Sequence, residues 1–238
     1  MEPQNSFRKV VGWLTIISVP FAIANFVLTS VASVAASAET IDFSDLGFFV
    51  NAGIEAGNLM KWAWLADLFG YYLLLVPAAF FIHYWLKSKN PYWMNIITYC
   101  GVAYLFAGSM GAAILARIFP SLISGYTGAD GAVKEIYRIV FTNSAQMVNG
   151  GIWGYFEFLL AGIWWIGIGF TMRQERNALG VCSIILGISS ILAAFGHIFD
   201  LYNVANLGLV IYLMLSPVWA CWLGISLIQG KKIQLSNP

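Results

Sequence analysis

The chain is dominated by six long apolar segments separated by more polar connections. These segments cover about residues 10–36, 59–86, 92–117, 150–172, 178–199 and 204–229. A helix needs roughly 20 consecutive apolar residues to cross a bilayer, whereas the strands of a membrane barrel alternate apolar and polar residues. Because each run is continuous and long enough, the pattern predicts an all-α, polytopic integral membrane protein with one domain over residues 1–238, a bundle of six transmembrane helices.

The composition agrees with a membrane environment. Hydrophobic residues make up 60% of the chain and charged residues 10%, with a mean hydropathy of +0.76. Soluble domains carry roughly 25% charged residues. The net charge of +1, without a basic cluster, argues against nucleic acid as a partner. Cys100, Cys182 and Cys221 lie singly in different apolar segments, which indicates packing residues and neither a disulfide framework nor a thiolate metal site.

Charged residues fall unequally on the two sides of the predicted bundle. Eight of the twelve basic residues share one side, namely Arg8, Lys9, Lys87, Lys89, Arg173, Arg176, Lys231 and Lys232. The opposite connections carry the acidic residues Glu39, Asp42, Asp45, Glu55, Asp130 and Glu135. Cytoplasmic loops are enriched in lysine and arginine, so both termini are predicted to be cytoplasmic.

The first apolar segment has two interpretations. Its basic start and the small residues Ala36-Ser37-Ala38 imitate a secretory signal with its cleavage site. The apolar run of about 27 residues is longer than the roughly 7–15 residues of a signal core, so we predict a retained helix. One face of this helix carries the mildly polar stripe Ser18, Ala22, Asn25, Thr29 and Ser33. The stripe is expected to point inward, and close helix packing is the alternative to a functional role.

The first and third connections, both on the outer side, are long. The acidic connection over residues 37–58 has Phe48, Phe49 and Val50 at its middle, and this triplet is expected to fold back onto the helices. The connection over residues 120–149 starts Gly- and Ser-rich and turns amphipathic from Val133, which predicts a helix on the membrane surface.

Polar side chains follow one helical face at the head of the fourth segment. Gln146, Asn149, Trp153 and Glu157 are spaced by three, four and four residues. A carboxylate on a membrane helix costs roughly 2.5 kcal/mol or more, so Glu157 is expected to face protein or water. Arg138 continues the same face backwards, and Gly150-Gly151 is the predicted kink.

The third and fifth segments carry small residues at helical spacing. In the third segment, Gly108 is followed four residues later by Ala112, and Ala107 by Gly111. The fifth segment has a similar stripe of small residues, Ser183, Gly187, Ser190 and Ala194. Such positions predict a close approach of helix backbones.

Ionisable residues of the apolar segments are concentrated towards the outer side. At about 1.5 Å of rise per residue, Asp67, Arg117, Glu157, His197 and Asp200 share one level, while the inner half contains almost no ionisable residue apart from His83. We therefore hypothesise a water-accessible cavity that opens outward and is walled by the second to sixth segments. Its candidate ligand-binding residues are Asp67, Arg117, Arg138, Gln146, Asn149, Trp153, Glu157, His197 and Asp200.

Two pairings are expected within this set. Arg117 or Arg138 is expected to neutralise a carboxylate, Glu157 or Asp67, because buried charges persist when they are paired. His197 and Asp200 are three residues apart on a helix and are expected to form a hydrogen bond. The alternative interpretation treats all of these as interface residues near helix ends, with Arg117 extending to the lipid headgroups.

Established catalytic motifs are absent from the sequence, which contains no HExxH, GxSxG, P-loop or GxGxxG pattern. His83 and His197 lie at opposite ends of their segments, so they cannot both ligate one haem, and two histidines are too few for a His-rich metal centre. The last segment contains no lysine for a retinal Schiff base. No cofactor and no metal is therefore expected.

Two segments carry a resemblance: Asp67-Leu-Phe-Gly-Tyr-Tyr-Leu-Leu-Leu-Val-Pro77, and the turn Arg173-Gln-Glu-Arg-Asn-Ala-Leu-Gly180 that leads into a Gly-rich span. Together with the spacing of the six apolar runs, they resemble the uncharacterised bacterial membrane family catalogued as domain-of-unknown-function family 4386. The resemblance implies a multi-pass protein of the bacterial inner membrane. It implies no activity and no catalytic residue, and the acidic first connection is an insertion relative to that family.

Three functions remain open on the sequence. The first is a transporter-like protein that binds or transports a small polar or zwitterionic ligand, or protons, in the outer pocket. The second is an accessory subunit whose spans pack against a partner in a membrane complex or a homo-oligomer. The third is a small membrane enzyme acting on a lipid or quinone at the outer leaflet. All three place the lipid bilayer among its partners.

Overall fold

The computed structural model describes residues 2–35 and 47–230, and this part of the chain is all-helical, with no strand. Its α-helices are α1 (Glu2–Ala35), α2 (Gly53–Asp67), α3 (Val76–Leu86), α4 (Pro91–Gly128), α5 (Gly131–Gln146), α6 (Phe158–Met172), α7 (Asn177–Ile198) and α8 (Tyr202–Gln229). A short 3₁₀-helix, Gly47–Asn51, precedes α2.

In the described residues, six helical stretches are long and apolar enough to cross a membrane. They are Asn5–Val34, Gly53–Leu86, Pro91–Gly128, Gly131–Met172, Asn177–Ile198 and Tyr202–Gln229, here called spans 1 to 6. This confirms the prediction of an all-α protein with six candidate membrane helices. The signal-like site at residues 36–38, most of the acidic first connection and the basic pair Lys231 and Lys232 lie outside the described residues.

Spans 2 and 4 depart from α-helical geometry in their middle. In span 2, a π-helix (Leu68–Tyr72) and a 3₁₀-turn (Leu73–Leu75) stand between α2 and α3. Pro77 has no N–H and cannot bond the carbonyl of Leu73, so a regular α-helix cannot continue through this point. In span 4, a π-helix (Met147–Glu157) separates α5 from α6 and includes Gly150 and Gly151, where a kink is predicted. Such π-helical segments occur frequently at functional sites.

The six spans surround the interior in sequence order. Helix α1 packs against α2 and α8, α4 packs against α2 and α6, and α7 lies between α6 and α8. The last span therefore returns to the first. This arrangement also buries the polar stripe of span 1, in which Ser18, Asn25 and Thr29 are at most 6% exposed. The prediction that the stripe points inward is confirmed.

The small residues of spans 3 and 5 have different neighbours. A Cβ on Gly187 would lie 2.7 Å from the backbone nitrogen of Ile166, so α6 and α7 approach closely, as predicted. A Cβ on Gly108 would lie 2.0 Å from the Tyr72 ring, and one on Gly111 would lie 2.2 Å from the Trp153 ring. The expectation of backbone contact is therefore wrong for these two glycines, because each makes room for an aromatic ring.

The connection expected over residues 120–149 is almost entirely helical. Helix α4 continues to Gly128 and α5 begins at Gly131, so the Gly- and Ser-rich stretch was wrongly predicted to be a loop. Glycine and serine lower helix propensity by at most about 1 kcal/mol each, which packing overrides. Here the ring of Tyr137 on α5 lies against Gly125 of α4, where a Cβ would be 2.3 Å from the ring.

The end of the first connection folds back onto the helices. Phe49 and Val50 are at most 3% exposed, and the Phe49 ring lies 6.4 Å from that of Phe119 on α4. The expected docking of this apolar triplet is thereby confirmed for two of its residues. The side chain of Phe48 lies outside the described residues.

Candidate functional site

A cavity of about 50 Å³ lies inside the bundle, between spans 1, 2, 4 and 6. Its polar lining residues are Asn25, Thr29, Asp67, Tyr71, Tyr72, Asn149, Glu157 and Tyr212. Each of them is at most 6% exposed, so the polar groups are buried among helices. At about 10–15 Å³ for each water, the volume holds roughly three to five water-sized groups.

Glu157 is the most buried ionisable residue of the cavity, with 1% of its surface exposed. It is the last residue of the π-helix in span 4. The hydroxyl of Tyr72, across the cavity on span 2, donates a hydrogen bond of 3.4 Å to its Oε2 atom. Its Oε1 atom is buried and has no hydrogen-bond partner in the described structure. Half of the carboxylate is therefore available to an occupant of the cavity.

Asp67 is the second carboxylate on the cavity and the last residue of α2, where the π-helix of span 2 begins. Its Oδ2 atom is buried without a partner among the described residues. The same holds for Nε1 of Trp64, one turn earlier, and for Oγ1 of Thr29 on span 1. Buried polar atoms nearly always have a partner. With the hydroxyl of Tyr212, five unpartnered atoms lie on one cavity and indicate a site that water or a ligand completes.

The expected arginine counter-charge is not found. Arg138 is exposed on α5 and bonds Glu135 three residues earlier, with 2.8 Å between Nε and Oε2. Arg117 is exposed on α4. In the described part of the chain, the salt bridges are that pair and Lys89 with Glu175, so neither cavity carboxylate is paired with lysine or arginine. The prediction failed because Arg138 has a carboxylate within one helical turn, which is a nearer partner than Glu157.

The predicted polar stripe reaches the cavity in part. Asn149, Trp153 and Glu157 all line it, whereas Gln146, the last residue of α5, is exposed. In a π-helix each N–H bonds a carbonyl five residues back, so a turn takes roughly 4.4 residues and steps of four return near the same face. The step of three residues from Gln146 to Asn149 does not return to that face, which explains why Gln146 does not line the cavity with the other three.

Six of the thirteen described residues that line the cavity are aromatic. The Trp153 ring lies 5.4 Å from the ring of Trp64, and its Nε1 donates a hydrogen bond of 3.4 Å to the carbonyl of Gly108. Tyr72 packs in the space that Gly108 leaves on α4. Span 3 thus supports the rings that form the walls, although none of its residues lines the cavity.

His197 and Asp200 lie outside the cavity. The His197 ring is 7% exposed and stacks at 6.2 Å on Phe158, which does line the cavity, while a Cβ on Gly154 would lie 2.7 Å from that histidine. Asp200 is exposed in the turn between α7 and α8 and adopts a left-handed backbone with φ 55°. Aspartate tolerates this conformation better than most residues. These two predicted site residues therefore do not line the cavity.

The cavity is formed by a different set of spans than expected. Spans 2 to 6 were the predicted walls, whereas spans 1, 2, 4 and 6 contribute the lining residues. Sequence reasoning missed Tyr72, Tyr212 and Trp64, because aromatic residues are common throughout the apolar segments. Asn25 and Thr29 of the polar stripe were the available signal for span 1, but the stripe was not assigned to the cavity.

The charged groups of the site are hydrogen-bond acceptors, and Nε1 of Trp64 is an unpartnered donor beside them. The site offers carboxylate oxygens of Asp67 and Glu157 to a cation or to a donor group. A transition-metal site normally takes three or four side-chain ligands. No group of three or more histidine, cysteine, aspartate or glutamate side chains occurs in the residues described.

Comparisons with protein-family models, with curated proteins and with solved structures find no match for this chain. The similarity to family 4386 therefore stays a prediction. The functional interpretation rests on the geometry of the cavity.

Proposed function

We propose that this multi-pass membrane protein binds a small polar ligand in its cavity, through the carboxylates of Asp67 and Glu157. One observation carries the proposal: Oε1 of Glu157 and Oδ2 of Asp67 are both buried without a partner on the same cavity. A buried polar group without a hydrogen bond costs roughly 1–3 kcal/mol, and a buried charge costs more. A ligand that supplies donors removes this cost, which favours its binding.

The charge of the lining favours a donor or cationic ligand over a zwitterion. The carboxylates accept hydrogen bonds, and among the residues that the structure describes no lysine or arginine lines the cavity to pair with an acidic group of the ligand. A zwitterion would bury its own carboxylate beside Asp67 and Glu157, where like charges repel. A proton bound to either carboxylate is the smallest occupant that supplies a positive charge to the site.

We further propose that the protein transports the ligand bound at this site across the membrane. A transporter must open its site first to one side of the membrane and then to the other, and discontinuous helices at substrate level commonly form such sites. Spans 2 and 4 are both interrupted beside a cavity carboxylate, at Asp67 and at Glu157. These interruptions are the elements at which we expect movement.

We also propose that both termini are cytoplasmic, that the membrane is a bacterial inner membrane and that the cavity lies in its outer half. Basic residues in the connections support this orientation. Two of those connections lie at the same end of the bundle, because Nζ of Lys89 is 3.4 Å from Oε1 of Glu175 and Nε1 of Trp85 donates to Oε2 of the same residue. Glu157 is sixteen residues before Arg173, on the side away from that end.

The proposal is tested by calorimetric titration of methylammonium into the protein in lipid nanodiscs. The variants are Glu157→Gln and Asp67→Asn, with Glu135→Gln as a matched control on the exposed side of span 4. We expect binding by the unaltered protein and by the control, and a loss of about tenfold or more in each cavity variant. Equal affinity in all four proteins, or no binding by the unaltered protein, contradicts the proposal.

A further inference from the structure

An apolar groove of about 280 Å³ lies on the outside of the bundle between α1 and α8. Ile23 and Phe26 of α1 form one wall, and Met214 and Val218 of α8 form the other. Ile23, Met214 and Val218 are between 47% and 56% exposed on this outer surface. In a membrane this surface faces the acyl chains, so the groove is open to the bilayer.

The groove and the polar cavity share a wall. Tyr71 of span 2 and Leu213 of α8 line both of them. The hydroxyl of Tyr71 donates a hydrogen bond of 3.1 Å to the carbonyl of Leu213. One hydrogen-bonded pair of residues therefore stands between the cavity carboxylates and the lipid-facing groove.

The proline in α8 explains why the carbonyl of Leu213 is available. In an α-helix this carbonyl would accept a hydrogen bond from the N–H four residues later. That residue is Pro217, which has no N–H. Tyr71 satisfies the carbonyl from outside the helix. The link between span 2 and α8 is thus made at a point where α8 already lacks a backbone hydrogen bond, which favours opening at this point.

We propose that the ligand is an amphipathic primary amine that enters from the bilayer between α1 and α8. In the bound state the hydrogen bond between Tyr71 and Leu213 is open, the ammonium group lies in the cavity against Glu157 and Asp67, and the hydrocarbon chain passes between Tyr71 and Leu213 into the groove. This assignment rests on the proposed function and adds to it the class of ligand and the route of entry.

Three features of the site select this chemistry. An ammonium group has three donors, which suits two carboxylates with unpartnered oxygens. The rings of Trp64 and Trp153 line the cavity, and aromatic faces attract a cation. A cavity of about 50 Å³ admits an ammonium group and excludes a sugar or a phosphate-bearing headgroup, the latter also by charge.

The experiment compares two amines that share a headgroup, methylammonium and dodecylammonium. Binding of each radiolabelled amine to the protein in nanodiscs is measured, with empty nanodiscs subtracted. Met214→Trp fills the groove, whereas Val210→Trp adds the same ring to a position of α8 that is 41% exposed, against 47% for Met214, and that lines neither the groove nor the cavity. Val218→Trp provides a second filling of the groove from the same helix.

We expect Met214→Trp and Val218→Trp to weaken dodecylammonium binding by about tenfold and to leave methylammonium binding unchanged. Val210→Trp is expected to leave both unchanged. If groove-filling affects neither amine, or affects both amines equally, the groove does not hold the chain and this inference is overturned while the proposed function stands. In that case the groove holds only a membrane acyl chain. If the unaltered protein binds neither amine, the proposed function fails as well.

Discussion

Tyr72 and Glu157 meet across the cavity through a hydrogen bond of 3.4 Å between the phenol hydroxyl and Oε2. Each is the last residue of a π-helical segment, Tyr72 in span 2 and Glu157 in span 4. The two helix interruptions therefore bring a donor and an acceptor together inside the bundle. Because this bond uses only one oxygen of the carboxylate, Oε1 stays available to a ligand.

Replacing Tyr72 with phenylalanine removes the donor and keeps the ring. We expect the free energy of unfolding to fall by about 1–3 kcal/mol, because Oε2 of Glu157 is left buried without its partner. Tyr99→Phe is the matched control, since Tyr99 is 74% exposed on α4. Reversible chemical unfolding in detergent measures both variants. Equal stability of the two variants would show that the hydrogen bond contributes nothing.

Gly108 is expected to be intolerant of a methyl group. A Cβ there would lie 2.0 Å from the Tyr72 ring, so Gly108→Ala must displace that ring from Glu157. We expect a loss of about 1–3 kcal/mol in the free energy of unfolding, together with weaker methylammonium binding.

Gly128→Ala is the control for that substitution. It lies on the same helix, and nothing is within 4 Å of its added Cβ. Its stability is expected to stay within about 0.5 kcal/mol of the unaltered protein. A tolerated Gly108→Ala with unchanged ligand binding would mean that the ring position does not matter for the site.

The link between Tyr71 and α8 is tested by a double-mutant cycle. Tyr71→Phe is expected to cost about 1 kcal/mol of stability, because the Leu213 carbonyl loses its donor. Pro217→Ala restores an N–H at the position that normally bonds that carbonyl. We therefore expect Tyr71→Phe to cost about 0.5–1 kcal/mol less in the Pro217→Ala background. If the costs of the two substitutions are strictly additive, the contribution of the Tyr71 hydrogen bond does not depend on the N–H that Pro217 lacks.

Membrane orientation is tested by thiol labelling of single introduced cysteines. A membrane-impermeant maleimide is expected to label Asp130→Cys, between α4 and α5, on intact cells. It is expected to label Ser88→Cys, between α3 and α4, only after permeabilisation. The unaltered protein gives the background, because Cys100 and Cys182 are buried and Cys221 is partly buried. The opposite pattern would invert the orientation.

The parts of the site predicted from the sequence are those set by spacing along one helix. Asn149, Trp153 and Glu157 repeat at intervals that return to one face in either helix type, and all three line the cavity. Asp67 was placed at the level of Glu157 by counting residues from the basic ends, and the two line the same cavity. Such arguments use only the rise and turn of a helix.

Most of the parts that were missed depend on contacts between spans. The exception is Arg138, which was expected beside a cavity carboxylate and has its partner Glu135 one turn away on the same helix. The sequence does not predict Tyr72 as a cavity residue, because its ring is placed there by the space that Gly108 leaves on another span. The helical continuation of α4 to Gly128 likewise depends on packing against α5. Helix periodicity contains no information on these contacts.

The proposed binding site is tested most directly by an experimental density map of the protein in a lipid nanodisc with methylammonium, at a resolution that shows ordered water. We predict non-protein density within hydrogen-bonding distance, roughly 2.7–3.2 Å, of both Oε1 of Glu157 and Oδ2 of Asp67. A cavity without such density, or a Glu157 side chain turned towards the acyl chains, would contradict the claim that these two carboxylates form a binding site.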